Sequence, residues 1–325
     1  MKFLNSIGFL TIIKIPEKYY LKKEDFPGML VYFPVAGLII GIICAAFFAV
    51  LNFFLPLIIA VIFTCGLEII LTGGIHIDGL ADTFDGVFSG ERDKDKIKQI
   101  MKKGDVGVFG VLAIVFALAL KITLIYYLCR LAGLGSGYSV FLKEFPLNLE
   151  SFTSGIKQAI PGFSVFLSVS VFAPVFGRLS MMGLFSRHSH PANIASAAEA
   201  NNTGTKTPPA SLASAFFDRS NLEVYALSFF YLVIIFISAS IFSQLYYLGH
   251  SGSRFFINSI GPGIAVAVIA AKALAVAVIS MLFSLGIGRF FSKRTGGLSG
   301  DILGAVCVLT EVLFILLGYL SLRFL

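Results

Sequence analysis

The chain lacks tryptophan and carries little charge: only 13% of its 325 residues are charged, while 57% are hydrophobic. Soluble domains are roughly a quarter charged and about half apolar. With a mean hydropathy of +0.90, this composition excludes an ordinary soluble domain and indicates a membrane protein. The absence of Trp excludes a tryptophan belt at the membrane interfaces, a role that the 11 Tyr can partly fill.

Cysteine is also scarce. The four cysteines, Cys44, Cys65, Cys129 and Cys307, each stand alone within an apolar run. Their spacing excludes a disulfide framework and a cysteine-based metal site. We therefore predict that all four are buried hydrophobic side chains.

Long apolar runs, by contrast, are abundant. A helix needs about 20 apolar residues to cross a hydrocarbon core of ~30 Å, and the chain has seven such runs. They predict an all-α, polytopic integral membrane protein with about seven transmembrane helices, formed by one membrane-embedded domain over residues 1–325. The runs lie at 29–53, 55–72, 107–129, 161–184, 223–248, 260–288 and 301–322.

The distribution of Lys and Arg predicts how these helices are oriented. With the N-terminus in the cytoplasm, 17 of the 25 basic residues fall on the cytoplasmic side and five on the other. This asymmetry follows the positive-inside rule, so we predict a cytoplasmic N-terminus and location in the cell (inner) membrane. Two long loops are predicted at about 130–160 and 185–222.

The most distinctive polar motif lies between the second and third runs, at residues 71–86. If the motif is helical, Asp82 lies ~40° and Asp85 about −20° from Asp78 around the axis, so all three carboxylates share one face. Carboxylates so close repel one another unless a cation lies among them, and Mg²⁺ prefers oxygen ligands of this kind. The motif predicts a Mg²⁺ site; a solvated acidic turn is the alternative.

Glycines and a histidine accompany these aspartates. Gly73 and Gly74 precede the predicted helix, and glycine allows the backbone to approach a ligand closely. His76 lies ~160° from the aspartate face. That direction favours a structural role over a ligand role, although both remain open.

A second polar cluster, residues 293–304, opens the last apolar run. It combines Lys293 with a Gly-rich turn around Gly297 and with Asp301. The N-terminus of a helix after such a turn can bind an anion through its unpaired N–H groups; a capped helix end is the alternative interpretation. Because the predicted topology puts both clusters on the cytoplasmic side, we predict one active site facing the cytoplasm.

The motifs together resemble one known family, the cobalamin synthases, also called adenosylcobinamide-GDP ribazoletransferases. The longest matching stretch, Thr72 to Gly86, is similar to that family's acidic motif almost throughout. The other matching stretches are Phe9-Leu10-Thr11 before Pro16, Tyr32 to Leu38, Ile100-Met101-Lys102, Gly107 to Gly110, Lys121, and Gly296 to Glu311.

The resemblance implies a transferase, an enzyme of cobalamin biosynthesis that joins adenosylcobinamide-GDP to alpha-ribazole or its 5′-phosphate and releases GMP with Mg²⁺. On this basis Asp78, Asp82 and Asp85 would hold Mg²⁺, Asp82 or Asp85 would act as the catalytic base, and Asp301 would help complete the site. Membrane lipid is the expected environment, and no nucleic-acid partner is expected. The remaining candidate binding residues are Gly73, Gly74, Lys102, Arg178, Lys293 and Gly297.

Two other functions are compatible with parts of the sequence. The acidic motif also resembles that of phosphotransferases that use CDP-alcohols, but the further aspartate spacing of those enzymes is missing. A transporter could use the intramembrane residues Lys121, Lys272 and Glu311 as an ion path. The chain has no internal repeat that would support such an architecture.

Overall fold

A computed structural model of the chain describes residues 1–21, 23–134, 160, 162–185, 222–250 and 261–323. This described part is helical and contains no strand, which confirms the predicted all-α fold. Its main α-helices are α1 (Lys2–Leu10), α2 (Phe33–Phe54), α3 (Leu57–Leu71), α4 (Ile75–Phe88), α5 (Lys94–Met101), α6 (Val108–Leu131), α7 (Phe172–Phe185), α8 (Leu222–His250), α9 (Pro262–Thr295) and α10 (Gly300–Arg323). Residues 162–170 are also helical and lead into α7.

Six of the described helical segments are long and apolar enough to cross a membrane. The helix pair α3 and α4 makes a seventh candidate if it is counted as one broken span, with a bend of 87° between the two helices. The prediction of a polytopic protein with about seven spans is confirmed. The predicted second span, 55–72, corresponds to α3 alone, which at 15 residues is about 22 Å long and too short to cross the core.

The side on which the N-terminus lies remains a prediction. The two predicted long loops, 130–160 and 185–222, fall almost entirely outside the described residues.

The prediction for the cysteines is confirmed, since all four are buried and none forms a disulfide.

The span Gly162–Phe185, whose second part is α7, and helix α10 form the interior of the bundle. In the apolar windows of their spans, 89% and 72% of the residues are buried, compared with 22–44% in the other four spans. Helix α10 packs against α4, α6, α7 and α9. Because α4 carries the acidic motif, one of the two most enclosed spans supports that motif directly.

Helices α2 and α7 approach each other through glycine. Gly37 and Gly41, one turn apart on α2, face the backbone around Pro174 and Val171. A Cβ atom at Gly41 would lie 2.5 Å from the Val171 carbonyl oxygen, and one at Gly37 would clash with the carbonyl oxygen of Pro174. Small residues at this spacing allow membrane helices to pack backbone to backbone.

We expect Gly37→Ala to lower the free energy of unfolding by about 1–3 kcal/mol, because the added methyl group overpacks the contact between α2 and α7. Thermal unfolding of the purified protein in detergent measures this change. Gly286→Ala is the matched control, since a Cβ atom there meets nothing within 4 Å. Alanine at that helical position should be neutral or stabilising. Equal destabilisation by both changes would contradict the close packing.

Candidate active site

The site begins at the break between α3 and α4. Gly73 and Gly74 have φ angles of 62° and 73°, a left-handed conformation that glycine adopts without steric cost. Their N–H groups donate to the carbonyl oxygens of Ile70 and Ile69, both at 2.9 Å, and so cap the end of α3. The structure thus gives the glycine pair a conformational role as the sharp turn into α4; contact with a ligand stays a prediction.

The predicted aspartates lie on α4, which is 14 residues long and does not span the core alone. Asp78 is exposed and Asp82 is half-buried. Partial burial, followed by the charges of Asp78, Asp301 and Asp85, raises the pKa of Asp82 to about 6. The predicted crowding of negative charge therefore exists, and Asp301 of α10 belongs to it.

Asp85 has a different environment from the other two aspartates on α4. Its side chain is buried, and both of its carboxylate oxygens accept hydrogen bonds from the start of α6. Gly107 N–H donates to Oδ2 at 2.7 Å, and Gly110 N–H donates to Oδ1 at 2.8 Å. Asp85 therefore caps α6 by satisfying two N–H groups that a helix start leaves unpaired. Its predicted metal and catalytic roles remain untested.

The start of α10 completes the acidic cluster. A Cβ atom at Gly79 would lie 2.7 Å from the carbonyl oxygen of Asp301, so glycine allows α4 to cross directly over the first turn of α10. Asp301 interacts electrostatically with Asp78 and with Lys102. The Ser299 hydroxyl accepts a hydrogen bond from Ile302 N–H at 3.3 Å and caps this helix. Two polar motifs that are over 200 residues apart thus meet.

The predicted basic residues are placed unequally. Lys102 and Lys293 are exposed, and Lys102 lies within electrostatic reach of Asp301. Lys293 is in the last turn of α9, which Gly296 ends with a φ of 78°. Arg178 is not brought to the acidic cluster. Its side chain is 1% exposed and lies inside the bundle, and its predicted contact with phosphate stays a prediction.

Arg178 instead belongs to a buried ion network beneath α4, which consists of Glu68, Lys121, Arg178 and Glu311. Lys121 Nζ donates to Glu68 Oε1 at 2.9 Å and to Glu311 Oε2 at 2.7 Å, and Arg178 Nη1 donates to Glu311 Oε1. Two positive and two negative charges from α3, α6, α7 and α10 therefore compensate one another. The sequence shows that these four charged residues lie within apolar runs, but not that they pair with one another.

The arrangement does not contain a preformed metal site. Among the described residues, no three His, Cys, Asp or Glu side chains are grouped so that they could hold a metal ion. His76, on the side of α4 away from the aspartates, is buried and faces a cavity beside Glu68 and Lys121.

Fold and site together define a polytopic membrane protein with an acidic site where α4 crosses the start of α10. A family model described as Cobalamin-5-phosphate synthase matches residues 2–319, and the chain belongs to this enzyme family. The family resemblance predicted from the sequence is thereby confirmed.

Curated relatives extend this result. The chain is 31% identical over 325 residues to an adenosylcobinamide-GDP ribazoletransferase of Acetivibrio thermocellus, covering 98% of this chain and 99% of the relative. A protein of the same name from Clostridium tetani is 26% identical, with 98% of each chain covered. One from Thermoanaerobacter sp. is 42% identical over 117 residues, or 36% of this chain and 46% of the relative. No solved structure matches.

We expect Asp82→Asn and Asp85→Asn to change stability in opposite directions in metal-free buffer. The first removes a partly buried charge that neighbouring carboxylates repel and should raise the unfolding temperature. The second turns an amide NH₂ toward an N–H donor of α6 and should cost about 1–3 kcal/mol. Thermal unfolding in the presence of a chelator measures both changes, and shifts of the same sign would contradict the two assigned environments.

The increase in unfolding temperature caused by Asp82→Asn should also depend on pH. Since burial and the neighbouring carboxylates raise the pKa of Asp82 on folding from its ordinary 3.8 to about 6, the cost of its charge is fully present above pH ~6 and absent below pH ~4. The unfolding temperatures of the wild type and Asp82→Asn should therefore converge as the pH falls through this window. A constant difference between them would contradict the electrostatic origin.

We expect Lys121→Met to destabilise the protein by about 3–5 kcal/mol, because it leaves a buried carboxylate uncompensated. The double variant Lys121→Met/Glu68→Gln restores neutrality and should lose less than the sum of the single changes, by about 0.5–3 kcal/mol. The exposed pair of Lys98 with Asp95, 3.9 Å apart on α5, is the control. Removing either charge of this exposed pair should cost less than about 1 kcal/mol. If the losses of Lys121→Met and Glu68→Gln simply added in the double variant, the pairing within the network would be contradicted.

Proposed function

We propose that this chain joins adenosylcobinamide-GDP to alpha-ribazole or its 5′-phosphate, giving adenosylcobalamin or its 5′-phosphate and GMP. The observation that carries the proposal is the family match over residues 2–319, which includes both polar motifs of the acidic site. Relatives with the corresponding name cover nearly the whole chain. Family membership favours this reaction over CDP-alcohol phosphotransfer and over transport.

We propose Mg²⁺ as the metal of this reaction, and the donors present fit it. Mg²⁺ usually keeps several waters and takes one or two carboxylates together with the phosphates of a substrate. A cluster of Asp78 and Asp82 with Asp301 nearby offers such donors without a complete cage, in keeping with the absence of a preformed three-ligand group among the described residues. Bound there, Mg²⁺ would neutralise charge on the pyrophosphate.

The chain's own residues account for orientation and for the remaining charge. Lys102, exposed and close to Asp301, is positioned to neutralise phosphate oxygens of the GDP group. Lys293, exposed at the end of α9, is the second candidate for this role. The first N–H groups of α10, after the turn at Gly297, provide further donors for an anion.

The bonds that change follow from the substrates. A ribose hydroxyl of the acceptor attacks the phosphorus nearer the corrinoid, the bond from this phosphorus to the bridging oxygen breaks, and GMP leaves. A carboxylate of the site takes the proton of the hydroxyl. We assign this step to the Asp78–Asp82 face, because both oxygens of Asp85 already accept hydrogen bonds from α6. Asp85 is a positioning residue in this scheme.

We further propose that the site faces the cytoplasm of a cell whose inner membrane holds the protein, in a lipid environment. The excess of Lys and Arg in the segments on the same side as both polar motifs supports this orientation. The nucleotide substrate and Mg²⁺ are both soluble in the cytoplasm.

The purified protein in lipid nanodiscs, supplied with adenosylcobinamide-GDP, alpha-ribazole 5′-phosphate and Mg²⁺, should release GMP and form a cobalamin product. Chelation of the metal should abolish both. Asp78→Asn and Asp82→Asn should each reduce kcat by about 100-fold or more, because charge stabilisation of the transition state is lost. Chromatography of GMP and the corrinoid product measures turnover.

The control is Asp95→Asn, which removes an exposed carboxylate of α5 outside the cluster and should leave turnover unchanged. Absence of product from the wild type across lipids and divalent metals would overturn the proposed reaction. Near-normal turnover by Asp82→Asn would overturn the site assignment while leaving the reaction standing.

A further inference from the structure

A small cavity with charged and apolar lining residues lies between α4 and the buried ion network. It has a volume of about 30 Å³, and its lining includes Glu68, Thr72, His76, Lys121, Arg178 and Glu311. A cavity needs ~10–15 Å³ for each water molecule that it holds, so this one has room for about two. It is far too small for a nucleotide or a corrinoid, and its lining does not include Asp78, Asp82 or Asp301.

Two residues that line this cavity each carry a buried polar atom with no hydrogen-bond partner among the described residues. These atoms are His76 Nε2 and Arg178 Nε, on side chains that are 5% and 1% exposed. A buried polar atom without a partner costs about 1–3 kcal/mol, and internal water normally removes that cost. Both orphaned atoms therefore point to an occupant of the cavity.

The charges around the cavity select the kind of occupant. Glu68 and Glu311 disfavour an anion, while Lys121 and Arg178 disfavour a metal cation, and the four formal charges sum to zero. A neutral molecule that both donates and accepts hydrogen bonds fits this environment. At the available volume, water meets these conditions.

We propose that about two water molecules occupy this cavity and link His76 on α4 to the buried ion network, so that His76 acts as a positioning residue for the aspartate face. Helix α4 follows two glycines with positive φ, a residue type that tolerates a wide range of backbone angles at the turn into the helix. His76 lies ~160° around α4 from Asp78. Holding His76 inward therefore keeps Asp78 and Asp82 turned outward.

The first test is independent of catalysis. A high-resolution structure of the wild-type protein in nanodiscs should show water density within hydrogen-bonding distance of His76 Nε2, and His76→Leu should lose that density. A dry cavity in the wild type, or a side chain of the protein bonded directly to His76 Nε2, would overturn the proposal. Neither outcome depends on the proposed reaction.

The second test concerns positioning and rests on the proposed function. His76→Leu should lower kcat about 10-fold or more with little change in the KM of either substrate, because small misplacements of reacting groups cost rate steeply. His76→Gln, which keeps a polar group able to bond water, should recover most of kcat. Ser280→Ala is the control: it removes a buried hydroxyl whose hydrogen bond is to Val276 O within α9 and should leave kcat unchanged.

A common unfolding temperature of His76→Leu and His76→Gln would separate positioning from general destabilisation. Equal kcat values for these two variants would overturn the positioning role. If the wild type showed no turnover while the water density was present, the proposed function would fail and the water site would stand.

Discussion

The structure depends on the compensation of four charges in the interior of a membrane protein. Taking a charged side chain out of water costs several kcal/mol, and attraction between partners offsets that cost only when the geometry is good. Lys121 contacts both Glu68 and Glu311, and Arg178 contacts Glu311 from the opposite side. Every charge of the network therefore has a partner, and each partner comes from another helix.

This network explains how an enclosed core can support a polar site. Glu68 lies in the last turn of α3, just before the two glycines that turn the chain into α4, and Glu311 lies on α10, whose first turn carries Asp301. Gly177 allows α7 to pack closely against Glu311 of α10, since a Cβ atom at Gly177 would lie 2.7 Å from Glu311 Oε1. The elements that present the aspartates are thus tied together beneath the surface on which substrate would bind.

Some of this organisation could be predicted from the sequence, and the reasons are physical. Apolar runs located the spans because the bilayer thickness fixes their length, and helical periodicity placed Asp78 and Asp82 together because the motif is in fact a helix. The family resemblance rested on contiguous motifs, such as Thr72 to Gly86, and was confirmed. These features are encoded locally.

Features that depend on contacts between residues far apart in the sequence could not be predicted from local patterns. Asp85 was grouped with the other aspartates because it shares their face of α4, yet its partners are N–H groups 22 and 25 residues further on. Arg178 was assigned to phosphate because it is basic, but its partner Glu311 is 133 residues away. One signal was available: acidic and basic residues both occur within the apolar runs, and charged side chains inside a membrane pair with one another.

The aspartates of α4 lie within two helical turns of one another, yet their charges have different environments. Asp85 is buried where α6 begins, so its charge is stabilised by two N–H donors and supports the fold. Asp82 is half-buried among Asp78 and Asp301, so its charge opposes the fold and is relieved only by a cation or a proton. A group that destabilises the folded chain and has no structural partner to justify its charge is more readily explained by function than by stability. For this reason the exposed end of the acidic helix, rather than its buried end, is where we place the chemistry.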